Sequence, residues 1–207
     1  MTPVIGVCDY GVGNLRSVER ALRASGAETV ISDQPARIAG CDGVVLPGVG
    51  AFAVAARALH DGGLGDAVRS MAIAGRPVLG VCLGHQLLFE SSDEGPDVAG
   101  LALLTGRVTR LALQEGRKVP HMGWNTLTTV NAESALLAGT DEGSYMYFVH
   151  SFSATAVEAD VAATTDYGEP LAAAVEHGNI MGTQFHPEKS GAAGLRLYAN
   201  FVAMCTT

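Results

Sequence analysis

The length, composition and charge of the chain exclude several classes of protein. Its 207 residues favour a single domain spanning residues 1–207, and 48% apolar against 16% charged residues exclude a disordered chain. The 13 Lys and Arg against 21 Asp and Glu give a net charge of −8, which argues against a nucleic-acid partner because phosphate contacts need a basic surface.

Short β-branched runs alternate with Ala- and Leu-rich helical stretches through the first part of the chain. Strands are predicted at residues 4–8, 29–31, 44–46 and 77–81. Helices are predicted at residues 14–22, 51–60 and 64–74, with Gly26 as the stop after the first of them. Strands that are apolar throughout are covered on both faces, and this alternation forms parallel sheets with right-handed crossovers. We therefore predict a parallel sheet between two layers of helices.

Beyond residue 99 the pattern changes to shorter pieces in which apolar and polar residues alternate. They predict strands, antiparallel or mixed in direction, at residues 107–113, 126–130, 145–152, 171–175 and 180–185. The chain is thus predicted to form a three-layer α/β/α sandwich of flavodoxin-like type, with a mixed and mostly parallel central sheet.

The sequence also bears on the cellular location of the chain and on whether it has membrane spans, disulfides or metal sites. No apolar run approaches the ~18 residues that a membrane-spanning helix needs, and the first residues lack the basic and long apolar regions of a signal peptide. The four cysteines form no Cys-x-x-Cys pair and have no metal-ligand spacing with the six histidines. We therefore expect a cytoplasmic protein with no membrane contact, disulfide, metal or cofactor.

The segment GVCLG at residues 80–84 ends a predicted strand and leads directly into a helical pattern. This is the form of a nucleophile elbow, with Cys82 as the nucleophile. A Cβ atom at Gly80 or Gly84 would clash in so tight a turn. The following helix N-terminus favours a thiolate, and the N–H of Leu83 is predicted to stabilise an oxyanion. The other cysteines lack this context and are predicted to be small buried hydrophobic residues: Cys8, Cys41 and Cys205.

A thiol nucleophile needs a base, and the segment QFHPE at residues 184–188 supplies a candidate. In extended backbone His186 and Glu188 point the same way. We therefore predict that His186 accepts the proton of Cys82 and that Glu188 orients the His186 ring. The remaining histidines have no such neighbour and are predicted to be surface or packing residues: His60, His85, His121, His150 and His177.

A glycine-rich loop, LPGVGAF at residues 46–52, lies between a predicted strand and a predicted helix. A phosphate cradle is one interpretation, but the loop lacks the Gly-Lys-Ser/Thr of a P-loop and the full spacing of a dinucleotide site. Hydrolytic α/β sites draw a second oxyanion N–H group from a loop beside the elbow. We therefore predict that Val49 supplies that N–H group.

Several motifs carry a resemblance that extends over nearly the whole chain. The elbow GVCLGHQLL, the PGVG loop and the segment QFHPE are similar to those of the triad class, or class I, of glutamine amidotransferases. Four more motifs narrow the match: DYGVGN at residues 9–14, VPHMGWN at 119–125, YFVHSF at 147–152 and HPEKS at 186–190. Together they resemble the glutaminase subunits of imidazole glycerol phosphate synthases in histidine biosynthesis.

The resemblance implies that glutamine is hydrolysed through a thioester on Cys82 and that the ammonia passes to a separate (β/α)₈ barrel cyclase subunit. It implies that the carboxylate of Glu94 faces the amino group of the substrate glutamine. The residues implied to contact glutamine are Gly48, Gly50, Gln86, Glu94, Ser151 and Phe152. It also implies a partner surface that contains Asn14, Trp124 and Lys189. Taken singly, those three residues would be a helix N-cap, a core tryptophan and a solvated charge.

Two other functions remain open at this point. His85 stands where many synthase glutaminases carry Met, and the order Gly-His-Gln is commoner in the glutaminases of anthranilate and carbamoyl phosphate synthases. The glutaminase component of another amidotransferase, such as anthranilate synthase, would share the triad and differ in its acceptor. A non-catalytic flavodoxin-like binding module would share the fold but has no need of Cys82, His186 and Glu188 together.

Overall fold

A computed structural model describes residues 1–113 and 117–206. The first part of the chain alternates strands and helices: β1 Val4–Cys8, α1 Leu15–Ala24, β2 Glu28–Ser32, α2 Pro35–Ala39, β3 Gly43–Gly48, α3 Phe52–Asp61, α4 Leu64–Ile73, β4 Val78–Cys82 and α5 Leu83–Leu87. The second part is mostly strands and ends in a helix: β5 Ser91–Ser92, β6 Gly106–Arg110, β7 His121–Thr126, β8 Thr128–Thr129, β9 Tyr145–His150, β10 Phe152–Ala156, β11 Val161–Asp166, β12 Pro170–His177, β13 Ile180–Thr183 and α6 Gly191–Met204.

Within the described residues, eight strands form the central sheet in the order β2-β1-β3-β4-β13-β12-β11-β8. The five strands from β2 to β13 are parallel, and β12, β11 and β8 continue the sheet in antiparallel pairs. The predicted mixed and mostly parallel sheet is confirmed. Gly48 at the end of β3 is paired with Cys82 at the end of β4. Because β13 lies beside β4, the segment that follows β13 reaches the same edge of the sheet.

Two smaller sheets lie beyond the central one in the described part of the chain. One is three-stranded, in the order β10-β6-β5, and the other is the ribbon of β7 and β9, paired antiparallel with Trp124 opposite Tyr147. The ribbon buries Phe148 and His150 and exposes Trp124 and Tyr145 on its other face. It therefore covers the protein interior with one side only.

The core lies on both faces of the central sheet, as the apolar strands predict. One face packs side chains of α1, α6 and the ribbon against alternate residues of β1 and β4, such as Val7 and Val81. The other face packs α2, α3, α4 and α5 against the intervening residues of these strands, such as Cys8 and Val78, and against Val44 and Leu46 of β3. Burial on both faces explains why these strands lack polar residues.

The structure corrects several predicted boundaries. The first helix ends at Ala24 rather than at residue 22, and Gly26 (φ +96°) follows it as predicted. Strand β6 ends at Arg110 rather than at residue 113, and the predicted strand 145–152 is two strands separated at Ser151. The predicted strand 126–130 is divided between two strands, because residue 126 is the last of β7 and residues 128–129 form the short β8. No helix or strand was predicted at the positions of α2, β11 and α6.

None of the described helices is both long enough and apolar enough to cross a membrane.

Candidate active site

Cys82 lies at a strained turn between β4 and α5. Its backbone has φ +54°, a left-handed conformation that costs energy in a non-glycine residue. A Cβ atom at Gly84 would overlap the carbonyl oxygen of Leu46, and one at Gly80 would lie 2.5 Å from the carbonyl oxygen of Gly84. The two glycines of the elbow are thus required by close packing, as the sequence predicts.

The environment of Cys82 differs from that of the other three cysteines. The Cys82 Sγ atom lies 3.9 Å from the carbonyl oxygen of Val149 and 3.9 Å from Nε2 of Gln184. The other three cysteines, Cys8, Cys41 and Cys205, are buried and form no disulfide. Burial raises the pKa of each of their thiols, to about 12 for Cys205. A thiol with a raised pKa is a poor nucleophile at neutral pH, so Cys82 is the candidate.

His186 and Glu188 form a buried pair behind the thiol. Nδ1 of His186 lies 2.8 Å from Oε1 of Glu188, and the two side chains are 2% and 1% exposed. The His186 N–H donates to the Tyr147 carbonyl (2.9 Å), and the Ser190 hydroxyl donates to the His186 carbonyl (2.6 Å). These bonds hold the pair against strand β9.

The protonation of His186 depends on opposing effects. Burial acts to lower the pKa of the ring, but hydrogen bonding and charge from Cys82 and Glu188 outweigh it and raise that pKa to about 9. Nε2 of His186 makes no hydrogen bond of standard geometry with any described residue. Catalytic hydrogen bonds are often long until the substrate is bound. The arrangement therefore favours an imidazolium beside Cys82.

A cavity of about 310 Å³ opens at the thiol, a volume that suits a single amino acid. Most residues predicted around it do line it: Val49, Gly50, Cys82, Leu83, Gln86, Glu94, Ser151 and Phe152. Gly48 does not line this cavity: it is buried, and a Cβ atom there would lie 2.8 Å from Cβ of Leu83. Three further lining residues were not predicted from the sequence: Pro120, Val149 and His150.

Two of the predicted binding side chains already have protein partners. The amide nitrogen of Gln86 donates to the Phe152 carbonyl (2.9 Å) and to Oε1 of Gln184 (3.1 Å). A carboxylate oxygen of Glu94 accepts from the N–H of Phe52, the first residue of α3 (2.8 Å). Gln86 therefore offers a ligand its carbonyl oxygen, whereas Glu94 is held in place by a helix N-terminus.

The glycine-rich loop is fixed from below. The Tyr10 hydroxyl donates to the Pro47 carbonyl in a short hydrogen bond, and Gly13 lies close to the same carbonyl. Val49, which follows Gly48, is 42% exposed and lines the cavity. The loop after β1 thus supports the loop that is predicted to supply an oxyanion donor.

A hydrogen-bonded pair of histidines lies beside the cavity. Nδ1 of His121 is 3.0 Å from Nε2 of His150, whose Nδ1 is 2.9 Å from the Phe152 carbonyl. Burial lowers the pKa of His150 to about 3 and that of His121 to about 4. Both rings are therefore neutral, with His150 donating to Phe152 and His121 donating to His150. The prediction of simple packing residues missed this pair, although the motifs VPHMGWN and YFVHSF contain both members.

The three predicted partner residues lie on the surface. Asn14 is exposed and immediately precedes α1. Trp124 is 56% exposed, so the alternative of a core tryptophan is wrong, and its ring meets that of Tyr147 edge-on at 5.9 Å between centroids. Nζ of Lys189 lies 5.5 Å from the centre of the same Tyr147 ring. Trp124 and Lys189 therefore belong to one patch centred on Tyr147.

Comparison with known proteins agrees with a parallel sheet carrying a cysteine elbow beside a His–Glu pair. Residues 6–205 match the model of class-I glutamine amidotransferases, and the chain belongs to that family. Two solved structures share the fold: a glutamine amidotransferase (TM-score 0.77, 22% identity) and PurLQS from Thermotoga maritima (TM-score 0.75, 20% identity), each matched over 98% of this chain and 99% of the other.

Curated relatives narrow the assignment within that family. The imidazole glycerol phosphate synthase subunit HisH of Gloeobacter violaceus is 48% identical over 97% of this chain and 89% of its own length. The corresponding subunit of Symbiobacterium thermophilum is 49% identical over 97% and 93%. The chain is thus a glutamine-hydrolysing enzyme of the HisH family. This assignment confirms the resemblance and decides against an anthranilate synthase component and a non-catalytic module.

Proposed function

We propose that Cys82, His186 and Glu188 form the triad that hydrolyses glutamine in this chain. The Cys82 thiolate attacks the side-chain amide carbon, and His186 gives its proton to the leaving ammonia, which yields a thioester. Water then attacks the thioester, His186 takes the water proton, and glutamate leaves as the thiol is restored. The observation that carries the proposal is the buried 2.8 Å pair of His186 and Glu188 behind a strained cysteine.

The oxyanion of each tetrahedral intermediate would lie between two loops. The N–H of Leu83 begins α5 directly after the nucleophile, and Val49 lines the same cavity from the neighbouring strand end. Gly48 supports the loop from beneath, while Gly50 (φ +113°) gives it a turn that other residues rarely adopt. Backbone donors aimed at the developing charge contribute about 3–4 kcal/mol of transition-state stabilisation.

Glutamine itself would be held by the opposite wall of the cavity. The Gln86 carbonyl oxygen can accept from the substrate, and the backbone at Ser151 and Phe152 offers further polar groups. Glu94 supplies a carboxylate toward the substrate ammonium group, since its position is fixed by the N-terminus of α3. A positive ammonium group beside a carboxylate is the expected pairing in a cavity of this size.

We further propose that the ammonia passes to a (β/α)₈ barrel cyclase subunit in the cytoplasm. The relatives are named as subunits of a synthase, which supports a partner. The exposed Trp124, with Lys189 beside it and Asn14 before α1, would form the docking surface. Residues 1–207 would act as one glutamine amidotransferase domain without a cofactor.

The test is a Cys82→Ala substitution in the complete chain together with the cyclase subunit. We expect glutamate release from glutamine to fall at least about a thousandfold, because the nucleophile is lost. Synthesis driven by added ammonia should continue, since the cyclase needs only free ammonia. The matched control is Cys205→Ala, a buried thiol outside the site, which should keep glutamine hydrolysis.

Labelling gives an independent measure of the same assignment. A glutamine-like diazo ketone should alkylate Cys82 alone, because burial raises the pKa of the other three thiols. Equal labelling of all four cysteines, or glutamine hydrolysis by the Cys82→Ala variant at the parent rate, would contradict the proposed triad.

A further inference from the structure

Two buried oxygen atoms lie without partners behind the proposed triad. Oε1 of Glu188 is bonded to His186, but Oε2 is buried and accepts no hydrogen bond from any described residue. The hydroxyl group of Tyr198 is also buried and unpartnered in the described part of the chain. The Tyr198 side chain is fully buried. A hydrogen-bond acceptor, Oε2 of Glu188, and a hydrogen-bond donor, the Tyr198 hydroxyl, are therefore both unsatisfied in the protein interior, where polar groups are normally paired.

The path of the chain places Tyr198 toward Glu188. A one-turn 3₁₀ helix, Pro187–Lys189, carries Glu188 and leads through Gly191 into α6. A Cβ atom at Gly194 would overlap the Pro187 carbonyl, so this face of α6 lies directly against the turn. Residues four apart share one face of a helix, and Tyr198 therefore continues the same face one turn later.

Electrostatics support the proximity of the two groups. Burial is the largest cause that raises the pKa of Tyr198 well above 10, and the negative charge of Glu188 raises it further. The Tyr198 hydroxyl consequently keeps its proton across the physiological range and is available only as a neutral donor to a carboxylate.

We propose that Tyr198 is a positioning residue whose hydroxyl donates to Oε2 of Glu188 and thereby holds Oε1 against the His186 ring. The inference rests on the proposed roles of His186 and Glu188 and adds a fourth member to that line of side chains. A carboxylate anchored at one oxygen cannot rotate away from the imidazole, and such supporting partners typically affect activity by about 10- to 100-fold.

Other charged groups around Glu188 provide the main competitors. Arg20 of α1 lines a surface cavity together with Glu188, and its guanidinium donates to Ser17 (3.3 Å). Lys189 lies over the Tyr147 ring rather than on the carboxylate. Arg20→Gln therefore tests whether a surface cation, and not the phenol, fixes the orientation of Glu188.

The experiment uses Tyr198→Phe in the full chain assembled with its cyclase subunit. This change removes one oxygen atom and keeps the buried ring. We expect kcat for glutamine hydrolysis to fall about tenfold with KM nearly unchanged, because the lost support acts on the transition state. Since Glu188 helps to raise the pKa of His186 to about 9, the basic limb of the kcat profile should move to lower pH.

Two controls separate positioning from stability. Thr165→Val removes a buried hydroxyl that donates to the Thr126 carbonyl (2.8 Å), remote from the triad segment in the sheet, and should lower the melting temperature without moving the pH profile. In a Glu188→Gln background, Tyr198→Phe should cause no further loss of kcat, because the phenol acts only through the carboxylate.

A parent-like pH profile for Tyr198→Phe, or losses that multiply in the double variant, would overturn the proposal. A shifted profile in Arg20→Gln with none in Tyr198→Phe would assign the role to Arg20 and overturn it as well. These outcomes leave the proposed triad intact as long as Cys82→Ala abolishes hydrolysis. Continued glutamine hydrolysis by the Cys82→Ala variant would instead contradict the proposed triad itself.

Discussion

The elbow and the β7–β9 ribbon line the same cavity, and they are built in opposite ways. The elbow is buried apart from its contact with the cavity, and close packing leaves no room for an added methyl group at Gly84. The ribbon buries one face and exposes the other, and hydrogen bonds at Tyr147 and His150 tie it to the site. The nucleophile is thus fixed by steric packing, whereas the facing wall depends on a few polar contacts.

This difference predicts how substitutions in the two regions affect folding, catalysis and binding. A change at the elbow should disturb folding and catalysis together, because no neighbouring atom can move aside. A change on the exposed face of the ribbon should leave the fold intact and alter what the protein binds. Substitutions in the elbow, in the proposed triad and on the ribbon distinguish steric fixation from fixation by polar contacts.

Gly84→Ala should be the most damaging of them. The added Cβ atom overlaps the Leu46 carbonyl, a backbone group that cannot rotate away. We expect a loss of at least about 3 kcal/mol in the free energy of unfolding, measured with urea, and loss of glutamine hydrolysis. Gly178→Ala is the control, because Gly178 has φ +57° but open space around it, and should cost about 1 kcal/mol. Equal losses in the two variants would contradict steric fixation of the elbow.

Glu188→Gln tests the triad at the point where the two regions meet. It keeps the shape of the side chain and removes the charge that supports the His186 imidazolium. We expect kcat to fall about 100-fold with KM nearly unchanged, and less than in His186→Ala. Glu94→Gln should do the reverse, raising KM more than it lowers kcat, because Glu94 is proposed to bind the ground state. Steady-state kinetics would refute these roles if Glu188→Gln were as damaging as His186→Ala.

The same contrast explains how far the site could be predicted from sequence. The elbow was predictable because its steric rule acts over five neighbouring residues, and His186 and Glu188 are two residues apart. The pair of His121 and His150 was missed because its members are 29 positions apart and meet only through the register of β7 and β9. Helix α6 was not predicted although its buried residues Leu197, Tyr198, Phe201 and Val202 have helical spacing. The small residues at its start gave no clear helix beginning after the HPEKS motif.

His85→Met concerns stability of the elbow helix α5 rather than chemistry. The His85 ring is fully buried, packs edge-on against Phe89, and has no hydrogen-bond partner among the described residues. Burial lowers its pKa to about 3, with a smaller contribution from His150. Between pH ~6.5 and ~3, His85 is protonated in the unfolded chain but not in the folded chain. Its contribution therefore lowers the free energy of unfolding as the pH falls.

We therefore expect the stability gained by His85→Met to grow by about 2 kcal/mol from pH 7 to pH 5. Met is flexible and apolar and should fill the same space. Urea unfolding at the two pH values measures the difference, and His60→Gln, at an exposed histidine, is the control. An unchanged difference between His85→Met and the parent chain at both pH values would show that His85 is not held neutral by burial.

Trp124→Ala carries the smallest expected effect on the fold and tests the exposed face of the ribbon. Because the side chain is 56% exposed, the free energy of unfolding should change by less than about 1 kcal/mol. Association with the cyclase subunit should weaken about tenfold, since exposed Trp residues are common interface anchors, and Lys189→Ala should weaken it by a smaller factor. Ile73→Ala, at an apolar residue on α4 that is 87% exposed, is the control and should leave association unchanged. If Trp124→Ala lowered the melting temperature sharply and left the association of the folded protein with the cyclase subunit unchanged, the ribbon would be a structural cover and the docking surface would lie elsewhere.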